Sequence, residues 1–202
     1  TLISFNSLSG CGSESESEIV SQQSEVDIAI ETAITQTTVS AAANFTQSVA
    51  ALNTEIDTFC DGAPDTTKLT NLQSAWTNSF TSWYALLPFK FGPLTISDNS
   101  SDTLDYIDYY RNATTANQTI FLDNSHTEIN AIINLSGTIS ESDLSNSRPK
   151  ALGLLTLETA IFRNLADDSS LAADIVTDFN GQPEKCDTIQ ALGYELDRRA
   201  ND

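Results

Sequence analysis

Positive charge is what this 202-residue chain has least of: 9 Lys and Arg stand against 28 Asp and Glu, a formal net charge of −19. Phosphate backbones are held by clustered Lys and Arg, and none cluster here, which argues against nucleic acid as a partner. Anionic lipid headgroups are repelled for the same reason. Histidine occurs once, at His126 in a polar stretch, so the two- and three-His sites common to zinc hydrolases cannot be assembled from this chain. His126 itself reads as a loop or helix-start residue. There is no glycine-rich phosphate loop and no nucleophile elbow. No apolar run is long enough to span a bilayer. Strand-like alternation, hairpin signals and internal repeats are missing as well.

What is present is acidic charge among abundant Ser, Thr and Asn, which means solubility first and a cation-collecting surface second. The length suffices for one well-buried domain or part of a larger one. Helical periodicity dominates. Ile30, Ile34, Phe45, Val49, Leu52, Ile56 and Phe59 fall at spacings of three, four or seven and predict one long amphipathic helix over 18–59. Asp61-Gly62-Ala63-Pro64 breaks it, and Asp65 is placed to cap the next helix. There Leu69, Leu72, Trp76, Phe80, Trp83 and Leu87 form a stripe that Pro88 ends. Core packing explains Trp76, Trp83 and Tyr84 better than a ligand-stacking wall. The stretch 94–148 is polar, with short helices readable at 104–110 and 127–135. Pro149 suits the first turn of the following helix. A turn at Asp167-Asp168-Ser169, a helix over 171–179 and a last helix from Glu184 complete an all-α chain, most naturally an up-down helix bundle. Four Asn-x-Ser/Thr triplets, beginning at Asn44, Asn99, Asn112 and Asn117, read as chance in so Asn-rich a sequence.

The run Ala151-Leu-Gly-Leu-Leu-Thr-Leu-Glu-Thr-Ala-Ile-Phe162 carries one carboxylate, Glu158, in an otherwise apolar helix. Burying that charge without a partner costs several kcal/mol, so Glu158 is expected to be paired, protonated, bound to a metal or turned to a wet edge. Three chemical roles stay open for it. It is a structural carboxylate held by Arg163, Lys150, Arg111 or a Trp or Tyr donor; or a metal ligand with Asp or Glu from other helices; or a general base.

Gly153-x-x-x-x-Glu158 resembles the Gly-x-His-x-x-Glu motif of the imelysin-like proteins, a group of bacterial periplasmic lipoproteins and proposed metallopeptidases. Phe59-Cys60, Leu69, Leu72-Gln73-x-x-Trp76, Trp83 and Phe91-Gly92-Pro93 follow the family's order upstream, and Cys186 through Leu192 resembles the start of its next helix. The matching segments span roughly 45–200. The family's His position is Leu155 here, which breaks the metal-ligand pair, as in more distant family members. The resemblance therefore implies a helix-bundle envelope protein without peptidase activity. It also implies an accessory role in uptake of iron or another divalent metal, with Glu158 as the remaining candidate ligand and a periplasmic uptake system as the candidate partner. A metallopeptidase-like hydrolase and a structural envelope protein are the rival readings.

The N-terminal residues fit that address. Leu2-Ile3-Ser4-Phe5 looks like the tail of an apolar signal segment, and Leu8-Ser9-Gly10-Cys11 matches the bacterial lipobox, with Cys11 as the lipidated residue. Residues 12–18, an acidic Ser-rich run, read as the tether between anchor and domain. The expected organisation is thus a signal remnant and lipobox over 1–11, the tether, and a helical domain over 19–202. Acyl chains on Cys11 would then supply membrane affinity, with the outer membrane the expected site. Residues 194–202 still read as helix, and a first half or a short version of the family fold is expected. A periplasmic address permits a disulfide between Cys60 and Cys186, which end the first long helix and start the last. Two free buried thiols are the alternative.

Overall fold

A computed structural model of the chain describes residues 16–89, 106–108, 144, 152–164 and 169–201, with side chains from residue 24. Most of the described residues are helical, with no strand among them. Helix α1 covers Glu16–Cys60, α2 Thr66–Leu86, α3 Gly153–Phe162, α4 Ala172–Gly181 and α5 Glu184–Asn201; a 3-10 turn, Leu87–Phe89, follows α2. The short helix expected at 127–135 lies outside the described residues, as do Asp167 and Asp168 of the expected turn, Pro149, His126, Cys11, Phe91, Gly92 and Pro93. Of the expected helix at 104–110, residues 106–108 are described, and they are helical.

Local chemistry sets the helix ends. Gly62 takes a left-handed φ of 72° after α1, a conformation that costs glycine nothing. Asp65 then caps α2, its Oδ1 accepting from the Thr67 and Lys68 amides at 2.8 and 2.9 Å. The many threonines survive inside helices because their hydroxyls donate back to the carbonyl four residues earlier, as at Thr54, Thr58, Thr70 and Thr77.

The α1–α2, α2–α3 and α1–α5 contacts run antiparallel. In the α1–α2 pair, Phe45 meets Trp83 with ring centroids 5.1 Å apart, and the Ser79 hydroxyl donates to the Ser48 carbonyl at 2.8 Å. This close hydroxyl-lined approach corrects the stripe expected for α2. Ser79 and Leu86 take the buried positions, while Phe80 and Leu87 are half-buried beside them. Phe80 instead stacks on Trp76, with centroids 5.2 Å apart. Helix α5 returns along α1 with its indices falling as those of α1 rise. Thr46 donates to the Ala200 carbonyl, Asp57 accepts from Gln190 and Tyr194, and Cys60 is bonded to Cys186. Gly193 permits the approach: a Cβ there would come within 2.8 Å of Ile56 Cδ1 and closer still to the Asn53 carboxamide. Helix α4 adds Phe179, edge-on to Phe59 at 5.0 Å.

The long first helix divides in its environment. Residues up to Val39 form one compact unit and Ser40 onward another. Ile30 and Ile34, expected on the core stripe, are 53% and 45% exposed, whereas burial begins at Phe45. The reason is length. Helix α2 has 21 residues against 45 in α1, so at about 1.5 Å per residue it can cover only about half of α1.

The Cys60–Cys186 bond closes a sequence separation of 126 residues, with Cα atoms 5.5 Å apart. Cross-links over loops of that size contribute about 2–5 kcal/mol. Urea denaturation of the Cys60→Ser, Cys186→Ser double variant is therefore expected to show a loss in that range. An unchanged midpoint would mean that the α1–α5 seam holds without its cross-link.

Candidate functional site

The motif helix α3 begins on a residue with left-handed backbone. Gly153 has φ +80°, and a Cβ there would lie 2.6 Å from the Tyr106 carbonyl oxygen and closer to that of Ile107. Both the left-handed backbone and the close approach require glycine. From there the helix sinks into the core: residues 153–157 and 159–161 are buried. Two α2 side chains hold its backbone. Trp76 donates its indole N–H to the Leu154 carbonyl at 2.8 Å, and Gln73 donates to the Ile161 carbonyl at 2.8 Å.

Glu158 does not sit in the apolar interior that its neighbours in sequence imply. It is half-buried, and so is Phe162 one turn later; the pair marks the edge of α3 that reaches toward water. Phe162 packs edge-on against Trp76, with centroids 5.3 Å apart. Leu155, at the family's His position, is only 5% exposed. Of the partners expected for Glu158, Arg163 stands half-buried at the helix C-cap, and Lys150 and Arg111 lie outside the described residues. The Trp alternative is not used, because Trp76 binds Leu154 and Trp83 donates to Asp108 Oδ2 at 3.2 Å.

A metal ligand is one of the three roles open to Glu158. Among the described residues no three His, Cys, Asp or Glu side chains come together as a metal-holding group. A resident ion needs several convergent ligands, and the position where the family places its imidazole is the buried Leu155.

The structure also exposes polar residues that the sequence reading passed over. Asp108 is 1% exposed beneath Trp83, in the segment whose carbonyls touch Gly153. Nothing local signals it, since its role depends on an indole 25 residues away. Glu195 is 2% exposed and accepts from Arg198 and Arg199 at 2.8 Å each. The Arg199 guanidinium in turn lies 3.8 Å from the centroid of the Tyr106 ring. Here a signal existed: a carboxylate followed by arginines three and four residues later, on the α5 face of Leu192 and Leu196. Desolvation pushes the Glu195 carboxyl upward, but hydrogen bonds and charge from the two arginines outweigh it and hold the group below the usual carboxylate range. Tyr194 is shifted upward by its hydrogen bond to Asp57.

Comparison with known proteins places this arrangement. The family model described as Imelysin (peptidase M75) matches residues 38–201. Among solved structures, an imelysin-like protein from Psychrobacter arcticum 273-4 is similar with a TM-score of 0.61 and 20% identity, over 83% of this chain and 45% of that one. The chain thus spans under half the length of that relative. No functionally curated protein matches.

Two outcomes are expected from these contacts. Gly153→Ala must strain a left-handed backbone and push on two carbonyls, so chemical denaturation should show a loss of at least about 2 kcal/mol. A loss within error would mean that residues 106–108 shift freely. For Glu195, the lowered pKa fixes the sign: its stabilisation is present above the unfolded carboxyl pKa and is lost as pH falls through the lower folded value. Glu195→Gln should be less stable at neutral pH, with a flatter fall in stability below about pH 5. Parallel pH–stability curves for the two proteins would contradict this.

Proposed function

The chain belongs to the imelysin family, and we propose that it is a non-catalytic member. In this reading it is a periplasmic lipoprotein held at the outer membrane through Cys11, serving metal uptake as an accessory protein to a partner rather than through a resident metal. One observation carries the non-catalytic part. The motif helix has Leu155, buried, in the place of the family's His, and the motif's Gly153 is occupied in packing. Gly153 admits two carbonyls, and the α3 backbone is tied to Trp76 and Gln73. A metal-activated water needs at least two fixed ligands and an open position, and α3 offers Glu158 with a leucine beside it.

The anchoring part rests on Leu8-Ser9-Gly10-Cys11 and the acidic tether that follows. Among the described residues no helix is long and apolar enough to cross a membrane, so the attachment proposed here depends on acyl chains at Cys11. The Cys60–Cys186 bond is of the kind that persists in an oxidising envelope compartment. The link to metal uptake comes from the family alone and is fold-level analogy.

Elemental analysis of the protein from Gly12 onward, beside its Glu158→Gln variant, tests the non-catalytic reading. Neither form is expected to retain iron, zinc or calcium at stoichiometric levels. Stoichiometric metal in the parent, lost in the variant, would overturn it and return Glu158 to the role of ligand. Fractionation of bacteria expressing the chain with its signal segment tests the anchor: Cys11→Ser should move the protein from the membrane to the soluble fraction.

A further inference from the structure

The stretch of α1 before Ser40 carries an apolar stripe that is open to water. Val26, Ile30 and Ile34 follow one another at four-residue spacing, which puts them on one side of the helix, and they are 52%, 53% and 45% exposed. Asp27 and Glu31 come one residue after Val26 and Ile30, so two carboxylates run beside the stripe. We propose that this stripe docks a cationic amphipathic helix of another protein. The apolar side of that helix covers Val26, Ile30 and Ile34, and its Lys or Arg side chains meet Asp27 and Glu31.

This part of α1 lacks the means to stand as a helix alone. Nine of the sixteen residues 24–39 are β-branched, and each of them loses rotamer freedom in a helix. The first Lys or Arg of the sequence is Lys68, beyond the end of α1, so no ion pair within the helix offsets that cost. Asp27 and Glu31, four residues apart and of like sign, add repulsion instead. A helix of such composition is marginal in water and owes its stability to the packing of an apolar side.

Charge selects the occupant. Helix α1 holds seven Asp and Glu and no base. A second copy laid on the stripe would bring seven more carboxylates and nothing to answer them, a juxtaposition that costs affinity. Anionic lipid is repelled in the same way. A helix with apolar residues at four-residue spacing and Lys or Arg beside them satisfies both parts of the surface. Its aliphatic side chains supply the anchors, as in other helix-on-helix recognition, and its flanking bases fix the choice of partner. From Val26 to Ile34 the stripe runs about 12 Å along α1, enough to engage about two turns of the partner helix.

The test titrates the full chain with a synthetic leucine–lysine peptide of about five helical turns, leucines on one side and lysines on the other, followed by methyl NMR. The Val26, Ile30 and Ile34 signals should shift saturably. A peptide of the same composition, reordered so that no apolar side forms, should bind at least about tenfold more weakly. Ile30→Ala with Ile34→Ala should weaken binding of the ordered peptide by a similar factor. Alanine is the better helix former, so undiminished far-UV circular dichroism in that variant separates a lost stripe from a lost helix. Asp27→Asn with Glu31→Gln should weaken binding and flatten its dependence on salt. Glu158→Gln should bind as the parent does, so failure of the motif-helix reading leaves this result unaffected. Equal affinity for the reordered peptide would overturn the proposal, as would unchanged affinity in the Ile30→Ala, Ile34→Ala variant. So would sedimentation of the chain alone showing a dimer that this variant dissolves, or docking of the stripe to phosphatidylcholine vesicles.

Discussion

Helix α5 has to return to α1 across most of the described sequence, and the rest of the structure depends on the seam it makes there. Cys60 and Cys186 lock one end, Asp57 takes hydrogen bonds from Gln190 and Tyr194 one turn further in, and Thr46 reaches the Ala200 carbonyl near the other. Gly193 lets the two backbones come close enough for all of these. Once the seam is formed, Glu195 is carried into the interior with Arg198 and Arg199 around it. Arg199 then lies on Tyr106, and the residues after Tyr106 press on Gly153. The start of the motif helix is thus positioned by a chain of contacts that begins on the opposite side of the sequence.

That dependence changes the meaning of the motif. In a catalytic site, the polar groups near a conserved helix converge on a position where a reacting atom can sit. Here the indoles of Trp76 and Trp83 and the carboxamide of Gln73 are spent on the helix backbone and on Asp108. Glu158 stands half-buried at the edge of the helix with Phe162. A family helix can keep its glycine for packing after its imidazole is gone, because the glycine answers to backbone geometry and the imidazole to chemistry.

Much of the architecture was legible beforehand because it rests on local rules. The break at Asp61-Gly62-Ala63-Pro64 and the cap at Asp65 follow from turn and capping chemistry, and α1 and α5 begin and end within a few residues of the periodic pattern. Legibility failed where two periodic positions compete for one core. Phe80 is the larger and more apolar choice for the α2 stripe, yet Ser79 is buried, because a hydroxyl beside the Ser48 carbonyl allows a closer helix approach. Ile30 and Ile34 continue the apolar period of α1 beyond the reach of a helix less than half its length.

The sequence by itself determined the helices, their caps, the acidic character of the chain and the family to which its motif residues point. Each follows from neighbours within a turn or two, or from composition. Tertiary structure alone decided that Ser79 rather than Phe80 is buried on α2, that Asp108 is an interior carboxyl and that Glu158 lies at an edge. Those facts depend on which helices meet and in what register. Residue spacing along a helix gives the angle of a side chain about its own axis but not the neighbour waiting there.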